Sequence, residues 1–330
     1  MNPGAAVDGV LVQWGERLFY PRNRIVKVAP LPRLDTLVRR QAAVIRRRIE
    51  ATVIKRAPQV MVKVTGGGRG MGAITAHFRY ISKNGRLAFE DDRGVVCQDK
   101  EALHDLAEQW RLGGSLIGDT SLRRDAFNLM LSMPRGTDAQ IVLRAAREFA
   151  QIELKDHRYV MVLHEHQENP HVHLSVRAES MDGKRLNPRK VDLHRWRETF
   201  AERLRGYGVE AEATRQATRG EGRRFENLWQ RKAGEEGRLR NIADPRKSGD
   251  AYQRSRIGAL DAWAHIVAAL RASDQASDHE LARRISSFTR ESSYARETFR
   301  QRNREMPERP RSPVAAPLVP RDRPGLEIRR

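Results

Sequence analysis

Alternation of apolar and polar residues is clearest in HVHLSV, residues 171–176, where every second side chain is apolar. This period of two is typical of a β-strand with one buried face. The segment RYVMVLHE (158–165) before it is apolar and rich in valine, and a turn ending in Asn-Pro separates the two segments. The pattern therefore predicts two adjacent antiparallel strands joined by a tight connection.

Further strand and helix patterns lie around this pair. Short apolar runs predict buried strands at 60–65 and 126–133, and RLAFEDDRGVV (86–96) predicts a hairpin. Apolar residues at helical spacing predict helices at 71–82, 99–111, 138–154 and 191–208, with Thr137 as N-cap of the third and Gly208 ending the fourth. The order predicts an α+β domain, an antiparallel sheet with helices on one face.

The chain on either side of this domain differs in composition. Residues 1–57 are polar and arginine-rich, and we expect a basic arm with one short helix that is either solvated or binds DNA. The α+β domain should span 58–215, and a basic, partly helical accessory region should follow at 216–305. The last segment, 306–330, is rich in proline and arginine and is expected to be disordered.

A glycine-rich segment, GGGRGMG at 66–72, connects the first predicted strand to the helix at 71–82. It lacks the Lys-Ser/Thr pair of a P-loop and the spacing of a dinucleotide fingerprint, so we predict a flexible connection rather than a phosphate site. In the helix, an apolar stripe runs from Ile74 to Ile81 and should pack. Tyr80 lies beside that stripe.

Charge narrows the range of functions. The 330-residue chain has 62 Lys and Arg residues against 42 Asp and Glu, a formal net charge of +20. This excess favours a polyanionic partner, with nucleic acid ahead of an acidic membrane surface. No segment has membrane-spanning length, no signal peptide is evident, and the single Cys97 excludes an intramolecular disulfide and a cysteine-rich zinc module. A cytoplasmic protein without membrane insertion is expected.

Histidines cluster in HEHQENPHVH, residues 164–173. His171 and His173 face the polar side of the second predicted strand, and the hairpin can bring His164 across from them. Three neutral imidazoles on one sheet face can bind a divalent ion and leave positions for water or phosphate oxygens. A polar sheet face that merely carries histidines is the alternative. His166 lies in the turn, where it either handles protons or is solvated.

A metal site in a basic protein favours phosphoryl transfer. Water as nucleophile would give an ordinary nuclease, whereas a side-chain hydroxyl would form a covalent protein–DNA intermediate. Tyr80 is the candidate hydroxyl, and a packing role is its alternative. Arg79 or Lys83 would stabilise the phenolate form, or His166 would accept the proton.

Three segments in order resemble the three motifs of P-type conjugative relaxases: HFRYISKNG (77–85), LMLSMPRGTD (129–138) and HEHQENPHVHLSV (164–176). This relaxase/mobilisation nuclease family includes the Ti-plasmid border endonuclease and belongs to the HUH endonucleases. The resemblance covers roughly residues 59–215.

The resemblance implies roles for individual residues. Tyr80 would be the nicking tyrosine and Ser132 the motif serine near the DNA. The metal ligands would be His164, His171 and His173. Where the family commonly has an acidic residue two positions after the first histidine, this chain has His166, with Glu165 one position earlier.

The resemblance also implies a fold and a reaction. The fold is a five-stranded antiparallel sheet flanked by helices, with the histidines on central strands. The reaction is cleavage of one strand at the origin of transfer of a plasmid or mobile element, with the 5′ phosphate linked to tyrosine and one divalent ion, Mg²⁺ or Mn²⁺. The implied partners are single-stranded origin DNA, relaxosome accessory proteins and a type IV coupling protein. The protein would then pilot the strand through a type IV secretion channel, and could itself enter the recipient cell.

We expect several basic and polar side chains to contact DNA, mainly through phosphates. Some lie near the motifs and others in TRQATRGEGRR (214–224). They are Arg79, Lys83, Ser132, Arg135, Arg215, Arg219, Arg223 and Arg224.

Three other classes of protein are alternatives. A rolling-circle replication initiator or single-strand transposase shares the histidine motif, but its tyrosine usually follows that motif, whereas Tyr80 precedes it. A cupin-type metal enzyme also uses His-x-His, but with an acidic ligand closer to that pair than Glu179. A non-catalytic DNA-binding mobilisation protein would need only the basic segments. Metal-dependent nicking of a supercoiled plasmid distinguishes these classes.

Overall fold

The structure, a computed structural model, describes residues 3–20, 36–165, 168–221, 236–238 and 249–297. The predictions for His166, Arg223, Arg224 and the segment 306–330 lie outside the described residues. Within these ranges, none of the helices combines the length and the apolar character needed to cross a membrane.

A six-stranded antiparallel sheet organises the centre of the chain. Its strands are β1 (Met61–Gly66), β2 (Phe89–Asp91), β3 (Val96–Cys97), β4 (Ala126–Ser132), β5 (Tyr159–His164) and β6 (His171–Arg177). Their order across the sheet is β1-β4-β6-β5-β2-β3, and every neighbouring pair is antiparallel. The predicted α+β class is therefore confirmed, with β5 and β6 at the centre of the sheet and the two-residue β3 as a sixth strand.

The helices of the sheet domain follow the predicted periodicity closely. They are α3 (Gly70–Ile81), α4 (Lys100–Leu112), α5 (Ala139–Glu153) and α6 (Lys190–Gly206). The prediction of Thr137 as N-cap of α5 was wrong by one residue. The side chain of Asp138 accepts hydrogen bonds from the first turn of α5, while the Thr137 hydroxyl donates to Pro134 O.

One face of the sheet is covered by α5 and α6. Alternate residues of β4 and β6, such as Leu131 and Leu174, are fully buried there against Phe149 of α5 and Trp196 and Phe200 of α6. The apolar face predicted from the period of two in β6 is this core face.

The second face of the sheet is also partly covered, which differs from the predicted single layer of helices. Helices α3 and α4 pack over β5 and β2 on this side, with Phe78 and Trp110 against Val160 and Val162. The physical reason lies in β5, whose continuous apolar run buries both of its faces. Over β1 and β4 the second face stays accessible, and Met61 and its outward neighbours on β1 are exposed.

Both ends of the described chain form a second hydrophobic core. Helices α1 (Pro3–Phe19) and α2 (Thr36–Val53) pack with α7 (Asp250–Arg271) and α8 (Ala276–Glu291), and we call these four helices the helical cluster. The expected polar arm at 1–57 therefore contains two packed helices in its described part. Leu11 and Leu18 of α1 are spaced by two helical turns and are fully buried in this core.

A buried ion-pair network joins the helical cluster to the sheet domain. The Arg48 guanidinium of α2 is 2.8 Å from a carboxylate oxygen of Glu198 on α6 and 3.4 Å from one of Glu212. The attraction of these two carboxylates raises the pKa of Arg48 against the opposing effect of burial. Removing one partner would leave the others as uncompensated buried charges, so the network fixes the contact between the two units.

The glycine-rich segment is closely packed, and the expected flexibility was wrong. A Cβ on Gly67 would lie 2.4 Å from Ala126 O, and one on Gly70 would lie 2.3 Å from Asp119 O. The Gly70 amide donates to the carboxylate of Asp125 at 3.0 Å. Because the amides of residues 68 and 70–72 donate within the protein, they are not available to cradle a phosphate, as predicted.

We expect Gly70→Ala to destabilise the protein more than Gly94→Ala. Both glycines have φ of +79°, so both alanines carry the same backbone strain, but only Gly70 has neighbouring backbone where the Cβ would lie. The overlap should lower the free energy of unfolding by about 1–3 kcal/mol more than the control change does. Urea unfolding followed by circular dichroism measures the difference. Equal losses for the two variants would contradict the packed-loop interpretation.

Candidate functional site

The three histidines of the third motif lie together on the second face of the sheet. In the β5–β6 register His164 is opposite His171, and His173 is opposite Val162. One ring nitrogen of each histidine lies within 4.8 Å of one nitrogen of each of the others. The ring centroids are 4.7–5.1 Å apart. The period of two thus correctly predicted that these side chains converge.

Two backbone carbonyls set the orientation of the first two rings. His164 Nε2 donates to Ile81 O at 2.7 Å, and His171 Nδ1 donates to Asn169 O at 2.9 Å. A carbonyl oxygen can only accept, so each neutral ring carries its proton on the donating nitrogen and its lone pair on the other. This is the arrangement in which protein histidines bind metal ions.

The third ring, His173, is held in its neutral form. Burial, together with the neighbouring His164, His171 and His77, lowers its pKa to about 3. Its Nδ1 is buried and has no hydrogen-bond partner among the described residues. An orphaned polar nitrogen beside two oriented imidazoles fits a bound cation, and the donor set suits a divalent ion.

Tyr80 lies at the rim of this histidine site. Its ring is in the last turn of α3 and is 66% exposed. It meets the ring of His173 edge-on at 6.5 Å between centroids and lies 6.3 Å from the ring of His77. The next residue along, Ile81, supplies the carbonyl that accepts the hydrogen bond from His164. The structure therefore brings the predicted nucleophile and the predicted metal ligands together.

A polar network beneath Tyr80 was not predicted as part of the site. His77 Nδ1 is 2.8 Å from Ser175 Oγ, which donates to Asn128 Oδ1 at 3.3 Å. Burial lowers the pKa of His77 to about 4, so this ring is neutral at pH 7. His77 belongs to the helical stripe between Ile74 and Ile81, which was predicted to pack. Strand parity already placed Ser175 on the face of the histidines, and the same reasoning applied to β4 would have found Asn128.

Ser132 and Arg135 lie on the side of the site away from Tyr80. Ser132 is opposite His171 in the β4–β6 register and is buried. Arg135 is exposed, and its backbone amide donates to the side chain of Asn169 at 3.0 Å. Met133 N also donates to Pro170 O at 3.1 Å. These bonds fasten the turn before β6 to the chain after β4.

Two basic residues lie close to Tyr80 in the chain, one in the last turn of α3 and one just beyond it. Arg79 and Lys83 are exposed, and neither forms an ion pair with the described residues. A cation without a nearby carboxylate keeps its full attraction for phosphate. Their predicted DNA contacts are compatible with this placement.

Arg215 and Arg219 have a different environment from the one predicted for phosphate-binding residues. Arg215 donates to the carbonyl oxygens of Arg17 and Leu18 in α1, and Arg219 donates to Ala57 O at 2.6 Å. Burial lowers the pKa of Arg219. Both guanidinium groups bind the helical cluster or its connection to β1, and neither is brought to the histidine site. Their DNA contacts stay a prediction.

Of three comparisons with known proteins, the scan against family models agrees with the resemblance seen in the motifs. The search of curated proteins found no match. A structural comparison matched a structure from work on the "Molecular Basis of Vancomycin Resistance Transfer in Staphylococcus aureus", at 14% identity and a TM-score of 0.30, covering 48% of this chain and 98% of that one. The family model "Relaxase: MobA/VirD2-like, nuclease domain" matches residues 80–209. Residues 80–209 are thus identified as a MobA/VirD2-like relaxase nuclease domain.

Proposed function

We propose that the protein is a metal-dependent relaxase that nicks one DNA strand at an origin of transfer and becomes covalently linked to its 5′ end. The observation that carries the proposal is the position of Tyr80, exposed and edge-on to His173 at the rim of the three-histidine site. A family match to relaxase nuclease domains agrees with it. A tyrosine in this position supplies the hydroxyl that distinguishes a transesterase from a nuclease that uses water.

The proposed reaction exchanges one phosphoester bond for another. The Tyr80 oxygen attacks the scissile phosphorus and forms the Tyr–O–P bond, while the bond from phosphorus to the 3′ oxygen breaks. The phenol loses its proton and the 3′ oxygen gains one, which leaves a free 3′ hydroxyl. Because the phosphoester energy is kept in the adduct, reversal rejoins the strand.

The side chains of the site have separate roles in this proposal. His164, His171 and His173 hold one divalent ion, Mg²⁺ or Mn²⁺, which when bound neutralises and polarises the scissile phosphate. A free phenol is almost entirely protonated at neutral pH, so the attacking oxygen needs a group that accepts its proton or stabilises its charge. Arg79 and Lys83 stabilise the phenolate by their charge, and His166 is the proposed proton acceptor.

We extend the proposal to the partners of the protein. Ser132 and Arg135, beside the histidines, contact the bound strand, and the basic residues 214–224 add phosphate contacts. Relaxosome accessory proteins recruit the enzyme to its origin. A type IV coupling protein receives the covalent complex for transfer to a recipient cell, with the segment 306–330 as the proposed transfer signal.

A nicking assay tests the function directly. The full chain is incubated with Mn²⁺ and a supercoiled plasmid carrying the DNA next to its own gene, where an origin of transfer is expected. We expect relaxation of the plasmid, protein attached at one unique 5′ end and a free 3′ hydroxyl. Cleavage with no attached protein would make the enzyme a hydrolytic nuclease and contradict the proposed reaction. A chelator control should abolish relaxation.

A further inference from the structure

The accessible part of the second sheet face continues from the histidine site towards the edge strand β1. In the register, Lys63 of β1 is opposite Met130 of β4, and Met130 is opposite His173 of β6. Residues in register on neighbouring antiparallel strands point to the same face. Lys63, Met130 and His173 therefore form one row, with successive members about 4.8 Å apart.

Lys63 carries its charge without a carboxylate partner. It is exposed, and it forms no ion pair with any of the described residues. Two other lysines are paired, Lys55 with Glu210 at 2.5 Å and Lys184 with Asp182 at 2.5 Å. The four-carbon stem of a lysine lets its ammonium reach over the adjacent strand towards the histidines.

Between Lys63 and α3, the second face of the sheet exposes apolar and polar side chains that suit a nucleotide. Met130 and Asn128 of β4 are half-buried, so their side chains form an accessible floor. The Asn128 amide is kept in place by Ser175, and the Thr65 hydroxyl donates to Asn128 O at 3.2 Å. A thioether gives an apolar contact for a base, and an amide can both donate to and accept from a base edge.

Tyr80 and His77 border this floor on its other side. His77 reaches Ser175 of β6, and Tyr80 meets His173 of the same strand. The floor is therefore bounded by aromatic rings on α3 and by the cation on β1. The floor is two strands wide, which suits a single strand of DNA. In binding sites for single strands, bases stack on aromatic rings and phosphates lie near cations.

We propose that Lys63, Thr65, Asn128 and Met130 form a subsite for the single-stranded nucleotide that flanks the scissile phosphate, with Lys63 binding its phosphate group. This inference rests on the proposed function, because it places the strand that Tyr80 would cleave. Arg79 in the last turn of α3 and Lys83 just beyond it add cations from a second element, so the strand meets positive charge from both β1 and α3.

The test compares Lys63→Gln with a matched control, Lys155→Gln. Lys155 is also exposed and without an ion pair among the described residues, but it precedes β5 at the end of that strand remote from His164. Binding of a fluorescent oligothymidylate of about 20 nucleotides is measured by anisotropy at several NaCl concentrations in EDTA, so that neither metal nor cleavage contributes. Circular dichroism checks that each variant is folded.

We expect Lys63→Gln to weaken binding and to reduce the slope of log K against log salt by about 0.7, the loss of one phosphate contact on a single strand. Lys63→Arg should restore the slope, and Lys155→Gln should match the wild type. Equal slopes for both glutamine variants would overturn the subsite.

The two proposals fail in different ways. A reduced slope in Lys63→Gln together with no covalent adduct on any plasmid would support the subsite and refute nicking. An adduct formed by the wild type with an unchanged Lys63→Gln slope would support nicking and refute the subsite.

Discussion

Tyr80→Phe is expected to abolish the covalent protein–DNA adduct while leaving the fold and DNA binding intact. The change removes only the hydroxyl, and the ring is 66% exposed, so little packing depends on the missing atom. Because the missing hydroxyl is the proposed nucleophile, adduct formation should fall below detection. Denaturing electrophoresis of the trapped complex measures the adduct, and oligonucleotide anisotropy measures binding.

Tyr207→Phe is the matched control for this prediction. The Tyr207 hydroxyl donates to Glu148 on the other face of the sheet, so its removal should leave the adduct yield unchanged. Peptide mapping of the wild-type adduct adds an independent readout. Attachment to Tyr159 would refute the assignment, and it would be unexpected, because Tyr159 is buried in β5 and burial raises its pKa to about 12.

His173→Ala is expected to lower both metal affinity and nicking. The change removes a neutral imidazole from the centre of the proposed donor set, beside His164 and His171. Loss of groups that merely orient metal ligands costs 10–100-fold in affinity, so loss of a ligand should cost at least about 100-fold. Calorimetric titration with Mn²⁺ measures the affinity without requiring activity.

The control for metal binding is His104→Ala. His104 is an exposed histidine on α4, outside the three-histidine site, so its removal reports on adventitious binding by surface imidazoles. It should change neither the titration nor the nicking rate. If His173→Ala nicks as fast as wild type at limiting Mn²⁺, the ligand assignment is wrong.

Local periodicity was sufficient to predict which candidate site residues share a face, because they lie on regular elements. The period of two in HVHLSV placed His171 and His173 on one face, and the helical stripe in α3 placed Tyr80 beside the packed residues. The structure adds what periodicity does not contain. Helix α3 lies over β6 and brings Tyr80 to His173. This placement depends on packing between elements that are distant in sequence.

Contacts between residues distant in sequence also account for features that local composition did not indicate. A glycine run suggests mobility, yet Gly70 is fixed by the backbone at Asp119. Arginines in a polar segment suggest phosphate contacts, which stay a prediction, but composition does not indicate that Arg219 donates to a carbonyl more than a hundred residues earlier. Residues 1–57 have the composition of a solvated arm, but α1 buries its apolar side against helices from the far end of the chain.

The helical cluster has a consequence for how the chain folds. Arg46 of α2 pairs with Asp278 of α8 across 232 positions of sequence, and the whole sheet domain lies between them. Closing so long an unstructured loop is entropically costly and slow. If the sheet domain folds first, the effective length of that loop falls to the distance between the first and last residues of the folded domain. During synthesis, α1 and α2 therefore leave the ribosome before α7 and α8 exist to bury their apolar sides. Until then, these apolar sides must be shielded by chaperones or by the folded sheet domain.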